Sequence, residues 1–582
     1  MRKICSILMA VLLFIIPMKA LFQKSGADNL FISEKNTDIY AAASQNKAIV
    51  GYYAGWAAYR GYTPDKIPAH KLSQINYAFA KIDKDTYKIT LADPATDKKN
   101  FAALRTLKKS YPNLRILISV GGWDYSDQFS VTASTKENRD AFAQSCADFI
   151  SEHRLDGIDL DWEYPVSGGL SGNGNRPEDK ENFTLLLAAV REKLNALEKK
   201  DGRKYDLTIA GAASRDYLKK IEPVKVAALV DHIFIMAYDM HGPWDDYADL
   251  NAPLYMPKEN SPQYKNSVYD GIQSYLESGV SADKLVMGIP LYGYIYTGVS
   301  GQNNGLYSAW QSAKAITYTA IAENYLSNAA YAKLYHAQAK VPYLYGNNTF
   351  ISYDDAASVA KKVELANKLG LAGVGFWELS QDSKEVLIES AYNTLAGLWV
   401  NPFFDVHPTD WYYEAVRFVS ENGLMEGISP TTFSPNTPIT RGMFAALLHR
   451  LEGTPKVNQS APFADVSKEA YYADAVAWAY QNEILHGHKN NLFAPDTPIT
   501  REQAAAVLFR YAEYKGYDTR KTADLSAFSD AAAISPYARS AMQWAAANGL
   551  ISGRTETRLE PTQTTSRAEA AALFMRFTLI AK

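Results

Sequence analysis

The chain has 582 residues and a formal net charge of −3. That balance offers no basic surface to argue for nucleic-acid binding, and the length exceeds one compact domain, so three or more are expected. Its 39 Tyr and 10 Trp suit both sugar-ring stacking and ordinary cores, so composition alone decides nothing further.

At the start, Arg2 and Lys3 precede an apolar run from Ile7 to Ile16, then Pro17 and the small Ala20. Basic, apolar, then small is the layout of a secretory signal peptide. It is expected over 1–20, followed by a polar leader over 21–45. The run is too short to span a bilayer, and no later segment reaches the ~20 apolar residues a transmembrane helix needs. Cys5 lies before the apolar run, away from the position of a lipid-modified cysteine, so removal of the signal leaves Cys146 alone. An exported chain without disulfides fits a Gram-positive bacterial product. Cys146 sits in an apolar helical pattern and is expected in the core.

From Ala48 onward, short apolar runs alternate with helical patterns, as in βα units. Eight strands are predicted, starting near Ala48, Gln74, Arg115, Gly157, Tyr205, His232, Lys284 and Leu371. Eight parallel strands with intervening helices form a TIM barrel, expected over 46–398, with polar and aromatic residues gathered at the strands' C-terminal ends.

The fourth strand carries the chemistry. Residues Asp156 to Pro165 read D-G-I-D-L-D-W-E-Y-P. Asp159, Asp161 and Glu163 alternate with Ile158, Leu160 and Trp162, so a strand points three carboxyls to one face and three apolar side chains to the other. Like charges that close force some of them to hold protons, which marks a catalytic strand. A calcium site or an acidic strand edge is the bland alternative.

Those residues match the D-x-x-D-x-D-x-E signature of glycoside hydrolase family 18, the chitinase family, with Asp156, Asp159, Asp161 and Glu163 in its four acidic positions. Ser119-Val120-Gly121-Gly122 resembles its S-x-G-G motif and Met236-Ala237-Tyr238-Asp239 its M-x-Y-D motif. The resemblance implies Glu163 as general acid and the substrate's own 2-acetamido group as nucleophile, through an oxazolinium ion. Asp161, two residues before Glu163 on the same face, would raise the pKa of Glu163 and stabilise the ion, with Asp159 sharing its proton. Tyr238 would donate to the acetamide oxygen, Asp239 would contact sugar hydroxyls, and Ser119 with Tyr52 would support Asp159. Asp156 would fix strand-end geometry. Trp377 would floor the cleavage subsite. Phe79, Gly122, Trp123, Tyr164, Met236 and Trp244 complete the expected substrate contacts. The Tyr- and Asn-rich stretch over about 298–347 looks like the small α+β insertion that some members carry between strands seven and eight.

After Trp399 the chain repeats. Phe403-x-Asp405, Phe463-x-Asp465 and Phe528-x-Asp530 are each followed by an aromatic (Trp411, Tyr471, Tyr537), a helical pattern and a glycine (Gly427, Gly487, Gly553). A loop with Pro435, Pro495 or Pro561 then leads to Thr440-Arg441, Thr500-Arg501 or Ser566-Arg567. The tail resembles three S-layer homology repeats, over 401–455, 460–513 and 525–580, rich in helix. The resemblance implies attachment to a secondary cell-wall polysaccharide, with Arg441, Arg501 and Arg567 pairing acidic groups in two-pronged geometry. Asp405, Asp465 and Asp530 are expected to cap or orient the local helices. A repeat that merely mediates dimerisation is the alternative.

These observations lead to a secreted, wall-attached chitinase cleaving β-1,4-linked N-acetylglucosamine polymers with retention, endo rather than exo. No metal or organic cofactor is implied, since no His/Cys cluster has ligand spacing. The rivals are an N-acetylglucosaminidase acting on peptidoglycan or N-glycans, and a carbohydrate-binding wall protein without turnover. Glu163 argues against the second rival.

Overall fold

A computed structural model of the chain describes residues 47–258, 266–406, 410–429 and 431–580. The signal and leader expected over 1–45 lie outside them. The chain divides into two compact units, Met1–Leu398 and Trp399–Lys582, each with its own hydrophobic core.

The first unit is a closed barrel of eight parallel strands: β1 (Ala48–Ala54), β2 (Gln74–Ile82), β3 (Arg115–Gly121), β4 (Gly157–Asp161), β5 (Asp206–Ala212), β6 (His232–Met236), β7 (Leu285–Pro290) and β8 (Gly373–Trp377). Each strand pairs with the next, and β8 returns to β1. All eight lie where the apolar runs predict them. The strands are buried on both faces, so they read as continuous apolar runs rather than alternating ones. A short strand, Ile89–Leu91, pairs antiparallel with the end of β2 and is not foreseen. It is created by a polar turn in which Asp83 accepts from the Thr86 N–H, and three residues are too few to show a period.

Register puts the polar positions side by side. Ser119 on β3 stands opposite Asp159 on β4, and Asp159 opposite Thr208 on β5. On the outer face of the same strand end, Trp162 is buried, stacked on Phe129 at 5.3 Å and edge-on to Phe183 at 5.5 Å. The apolar half of the motif is therefore core, and it clamps the carboxylate half in place. Asp156 lies before the N-terminal end of β4. It binds Lys108 and accepts from the Ile116 N–H at 2.8 Å, a structural role at the end of the barrel opposite Glu163. Cys146 is fully buried in the helix Lys136–His153.

Between β7 and β8 runs a five-stranded antiparallel sheet, comprising Tyr292–Thr297, Ser312–Thr317, Ala332–His336, Val341–Gly346 and Thr349–Ser352. Its first strand starts one residue after β7. That proximity brings Tyr292 and Tyr294 to the mouth of the barrel.

Among its described residues the second unit has two α-helices per repeat, Tyr413–Glu421 and Arg441–Leu451, Ala473–Gln481 and Arg501–Tyr514, and Arg539–Ala547 and Arg567–Ile580, and each second helix packs against the first helix of the following repeat. The three repeats close on one another through a ring of backbone bonds. Ile439 N–H donates to Thr565 O, Thr565 N–H to Ile499 O, and Ile499 N–H to Ile439 O, at 2.9–3.0 Å. Each second helix also sends its first N–H groups to the proline loop of the following repeat. Gly442 donates to Pro495 O, Glu502 to Pro561 O and Ala568 to Pro435 O. Each helix start is thus shared between its own Thr or Ser cap and the following repeat's loop, which ties the three repeats into a single cooperative unit.

The repeated acids differ from expectation. Asp405 accepts from Phe433 and Ser434 N–H, Asp465 from Phe493 and Ala494, and Asp530 from Leu559 and Glu560, all at 2.7–2.9 Å. They therefore hold the proline loops and cap no helix. The second residue of each loop pair has a left-handed backbone, with φ of +59° at Ser434, +57° at Ala494 and +54° at Glu560. Two charge-assisted bonds offset that strain. Gly427, Gly487 and Gly553 recur for a steric reason, because a Cβ there would fall 2.3–2.8 Å from the ring of Phe403, Phe463 or Phe528.

Candidate active site

The carboxyls of β4 form a graded series from the barrel interior to its mouth. Asp159 is fully buried and held by three hydroxyls. Tyr52 Oη (2.8 Å) and Ser119 Oγ (2.7 Å) donate to its Oδ2, and Thr208 Oγ1 (2.6 Å) to its Oδ1. Burial raises its pKa, and those hydroxyls oppose the rise. Asp161, one step closer to the mouth, has a buried Oδ1 with no protein partner. Burial first, then the charges of Glu163 and Asp159, push its carboxyl well above the usual range.

Glu163 is 9% exposed and opens into a cleft of about 460 Å³, whose lining includes Tyr164, Met236, Tyr238, Asp239, Trp123 and Trp244. Burial pushes its carboxyl up to about 7. A hydrogen bond with Tyr164 opposes this, and the charges of Asp239 and Asp124 add to it. The sequence argument names Asp161 as the perturber, but the structure shows burial as the main cause. The carboxyl of Asp161 is pushed the same way, upward, and again by burial first.

The Glu163 backbone is clamped from both sides. Its N–H donates to Ser126 Oγ at 2.9 Å, and its carbonyl accepts from Asn173 Nδ2 at 3.1 Å. The Ser126 hydroxyl in turn reaches Gly122 O (2.8 Å) and Asp161 O (3.1 Å). The loop after β3 is thus tied to the end of β4. The S-x-G-G glycines permit this approach. A Cβ on Gly121 would lie 2.3 Å from Asp161 O, and one on Gly122 would lie 2.5 Å from the Phe79 ring, both at positive φ.

Tyr238 and Asp239 follow β6. Tyr238 is nearly buried and lines the cleft. Asp239 accepts from Tyr292 Oη (2.5 Å) and Tyr294 Oη (2.7 Å) of the inserted sheet, and its own N–H donates to Asn251 Oδ1. Trp377 ends β8. Its ring stacks on Phe79 at 5.6 Å and meets the edge of Tyr52 at 5.6 Å. Trp56, 42% exposed, joins this group at 6.2 Å from Phe79 and 6.4 Å from Trp377. Trp123 and Trp244 also turn broad faces to solvent, and Trp244 lies edge-on to Tyr294 at 5.7 Å.

All fourteen barrel residues picked out from the sequence therefore gather around β4 and the mouth of the barrel. Thr208, Ser126, Asn173, Trp56, Tyr292 and Tyr294 were missed. Thr208 is a lone polar residue inside an apolar strand and Trp56 ends the β1 run, so both carried a signal. Ser126 and Asn173 act through backbone bonds and carried none.

In the second unit, Arg441, Arg501 and Arg567 turn their guanidinium forks inward. Arg441 donates to Phe493 O and His486 O, Arg501 to Leu559 O and Ser552 O, and Arg567 to Phe433 O and Glu426 O, at 2.6–2.9 Å. Each fork staples its repeat to the loop of the next. The two-pronged arrangement expected for a ligand is thus taken up by backbone carbonyls, and Arg501 Nη1 also donates to Glu569 Oε1 at 3.0 Å.

Comparison with known proteins agrees with both units. The family model for glycosyl hydrolases family 18 matches residues 48–382. The S-layer homology domain model matches 402–445, 462–505 and 527–571. Chitinase A1 of Niallia circulans is 40% identical over 407 residues, covering 60% of this chain and 58% of that protein, so the chain spans less than two thirds of that relative's length. Chitinase ChiA74 from Bacillus thuringiensis superposes with a TM-score of 0.58 at 34% identity, covering 61% of this chain and 70% of that one. A family 18 N-acetylglucosaminidase from Paenibacillus barengoltzii gives 0.55 at 34% identity, covering 60% of this chain and all of that one. With its acid series on β4 and its three-repeat tail, the chain belongs to glycosyl hydrolases family 18 and carries three S-layer homology domains.

Proposed function

We propose that this protein is a wall-attached chitinase that hydrolyses β-1,4-linked N-acetylglucosamine polymers with retention of configuration. The carrying observation is the Asp159–Asp161–Glu163 series, in which a carboxyl poised near 7 stands at the cleft and one that favours its proton stands behind it. Glu163 gives its proton to the glycosidic oxygen as that bond to C1 breaks. The acetamide carbonyl oxygen of the same sugar attacks C1 and closes an oxazolinium ring, so the protein supplies no carboxylate nucleophile. Asp161 accepts the acetamide N–H and balances the developing positive charge, while Tyr238 donates to the acetamide oxygen and orients it. Asp159, with its donors Tyr52, Ser119 and Thr208, takes up the proton that Asp161 releases as it turns. Glu163, now ionised, removes a proton from water attacking C1 from the vacated side, and the ring reopens with net retention.

Trp377 and Phe79 form the floor on which the distorted sugar stacks. Trp56, Trp123, Trp244, Tyr164, Met236 and Asp239 extend contacts to neighbouring sugars, which favours an endo-acting enzyme on a polymer. An N-terminal signal would export the chain from a Gram-positive bacterium, and the repeats would hold it to a secondary cell-wall polysaccharide. Among the described residues, no helix is long and apolar enough to cross a membrane. The likeness to an N-acetylglucosaminidase favours a second reading, action on small N-acetylglucosamine glycans or peptidoglycan. Parallel assays on chitooligosaccharides, crystalline chitin and peptidoglycan separate the two, with Glu163→Gln as the inactive control. Release of soluble oligomers from crystalline chitin supports the chitinase, whereas turnover confined to peptidoglycan or to terminal residues overturns it.

A further inference from the structure

Just past Asp239 the chain buries three ionisable side chains that the reaction described above does not use. His241, Asp245 and Asp249 are each no more than 4% exposed. The imidazole stands between the two carboxylates, with Nδ1 3.1 Å from Asp245 Oδ2 and Nε2 3.5 Å from Asp249 Oδ2. A carboxylate can only accept, so the shorter contact places a proton on Nδ1. Burying such groups is costly unless they are paired, and each carboxylate is also tied to the backbone. Asp245 Oδ2 accepts from the Gly242 N–H at 3.2 Å, and Asp249 Oδ1 from the Leu250 N–H at 2.7 Å. Asp245 Oδ1 is buried with no hydrogen-bond partner among the described residues, so Oδ2 alone anchors that carboxylate.

The span between these groups carries Trp244. Gly242–Asp245 is a tight turn with Pro243 in its second position, closed by Asp245 N–H donating to Gly242 O at 3.0 Å. The Trp244 ring folds back over this turn so closely that a Cβ on Gly242 would fall 2.3 Å from it. Beyond the turn, the segment is stitched to the region inserted between β7 and β8. Trp310 Nε1 donates to Asp245 O at 3.0 Å, Ala248 N–H to Ser308 O at 2.9 Å, and Tyr307 N–H to Ala248 O at 2.8 Å. The ring itself is 58% exposed, meets Tyr294 edge-on and lines the cleft that Glu163 opens into. Its angle is therefore set from beneath, by the turn, and the turn is held by the Asp245 carboxylate that His241 grips.

We infer that the His241–Asp245 pair is the positioning element of Trp244, which fixes the turn so that the ring meets a sugar at the right pitch and thereby favours substrates long enough to reach it. The two faces of the imidazole have separate tasks. Nδ1 steadies the carboxylate under the ring, whereas Nε2 ties the far end of the loop through Asp249. This inference rests on the reading of Trp244 as a sugar contact and adds to it the groups that make the ring usable.

The test is steady-state kinetics of the full-length protein on an N-acetylglucosamine hexamer and on a dimer-length aryl substrate. Trp244→Ala should raise the hexamer KM by about fivefold, the scale of one stacked ring. The two amide replacements of His241 separate its two nitrogens. His241→Gln carries its amide N–H where Nε2 stood and loses the donor to Asp245, so the hexamer KM should rise by about threefold or more with kcat within about twofold. His241→Asn keeps a donor in the place of Nδ1 and should stay within about twofold of the unmodified protein. Asp245→Ala removes the same contact from the other side and should match His241→Gln. In the double variant His241→Gln with Trp244→Ala, KM should stay within about twofold of Trp244→Ala alone, because a missing ring cannot be misplaced. The fluorine resonance of Trp244 in 5-fluorotryptophan protein, identified by its loss in Trp244→Phe, should move in His241→Gln and hold its place in His241→Asn. Equal effects of the two amides, additive losses in the double variant, or a fall in kcat shared by both substrates would overturn the inference and leave the cluster a stabiliser of the loop. If Trp244→Ala leaves the hexamer KM unchanged, the sugar contact and this inference fall together; a rise there with none in His241→Gln and Asp245→Ala overturns the inference alone.

Discussion

Glu163 must be protonated to act, so kcat/KM should fall as pH rises through the acid's pKa in the free enzyme, about 7. A carboxyl held there rather than at its usual 4.5 favours its neutral form by about 3 kcal/mol. Most of that preference comes from burial, with the charges of Asp239 and Asp124 contributing the rest. Asp239→Asn removes the nearer charge from a cleft where, at an effective dielectric near 20, a like charge contributes about 1–2 kcal/mol. Burial raises the pKa of Asp239 as well, and removing its charge is expected to move the limb by about half to one pH unit toward acid. Asp124 is exposed, and Asp124→Asn should move the limb less, with the difference disappearing at about 0.5 M salt. The assay is kcat/KM on a soluble chitooligosaccharide from pH 4 to 9, where limb position is read independently of the absolute rate. An unmoved limb in Asp239→Asn, or a wild-type limb near 4.5, would refute the assignment of Glu163 as the titrating acid.

Ser126→Ala leaves the Glu163 N–H unpaired. It should destabilise the barrel by about 1–3 kcal/mol and lower kcat about tenfold at little change in KM, and Ser126→Thr should restore both; calorimetry and steady-state kinetics check this. Trp56→Ala should raise KM about fivefold for a hexamer and leave a dimer-length aryl substrate unaffected, and equal effects on both would remove Trp56 from substrate contact. Asp465→Ala releases two loop N–H groups and a left-handed Ala494, so thermal unfolding of the tail should fall by about 2 kcal/mol while turnover of soluble substrate stays unchanged.

The barrel was legible because its strands are buried on both faces, which leaves eight apolar runs separated by helical patterns. The site was legible because three carboxyls on one strand face have few other uses. What stayed hidden depends on folding. The Ser126 and Asn173 clamp acts on backbone atoms, and Tyr292 and Tyr294 reach Asp239 only because the inserted sheet starts directly after β7. The repeated arginines illustrate a different limit. Their recurrence beside Thr or Ser was visible, but only the closed ring of repeats shows that their forks serve neighbouring loops. The repeated aspartates were misread as helix caps because the groups they bind lie 28 to 30 residues further on, beyond the reach of local pattern.

Substrate participation is the central claim, and time-resolved NMR of product anomers tests it most directly, with fully acetylated and fully deacetylated tetramers run side by side. The account predicts the β-anomer as the first new reducing end from the acetylated tetramer and no measurable cleavage of the deacetylated one. Initial appearance of the α-anomer, or comparable cleavage of the deacetylated tetramer, would contradict it, because neither outcome is open to an enzyme whose nucleophile is the acetamide of its own substrate.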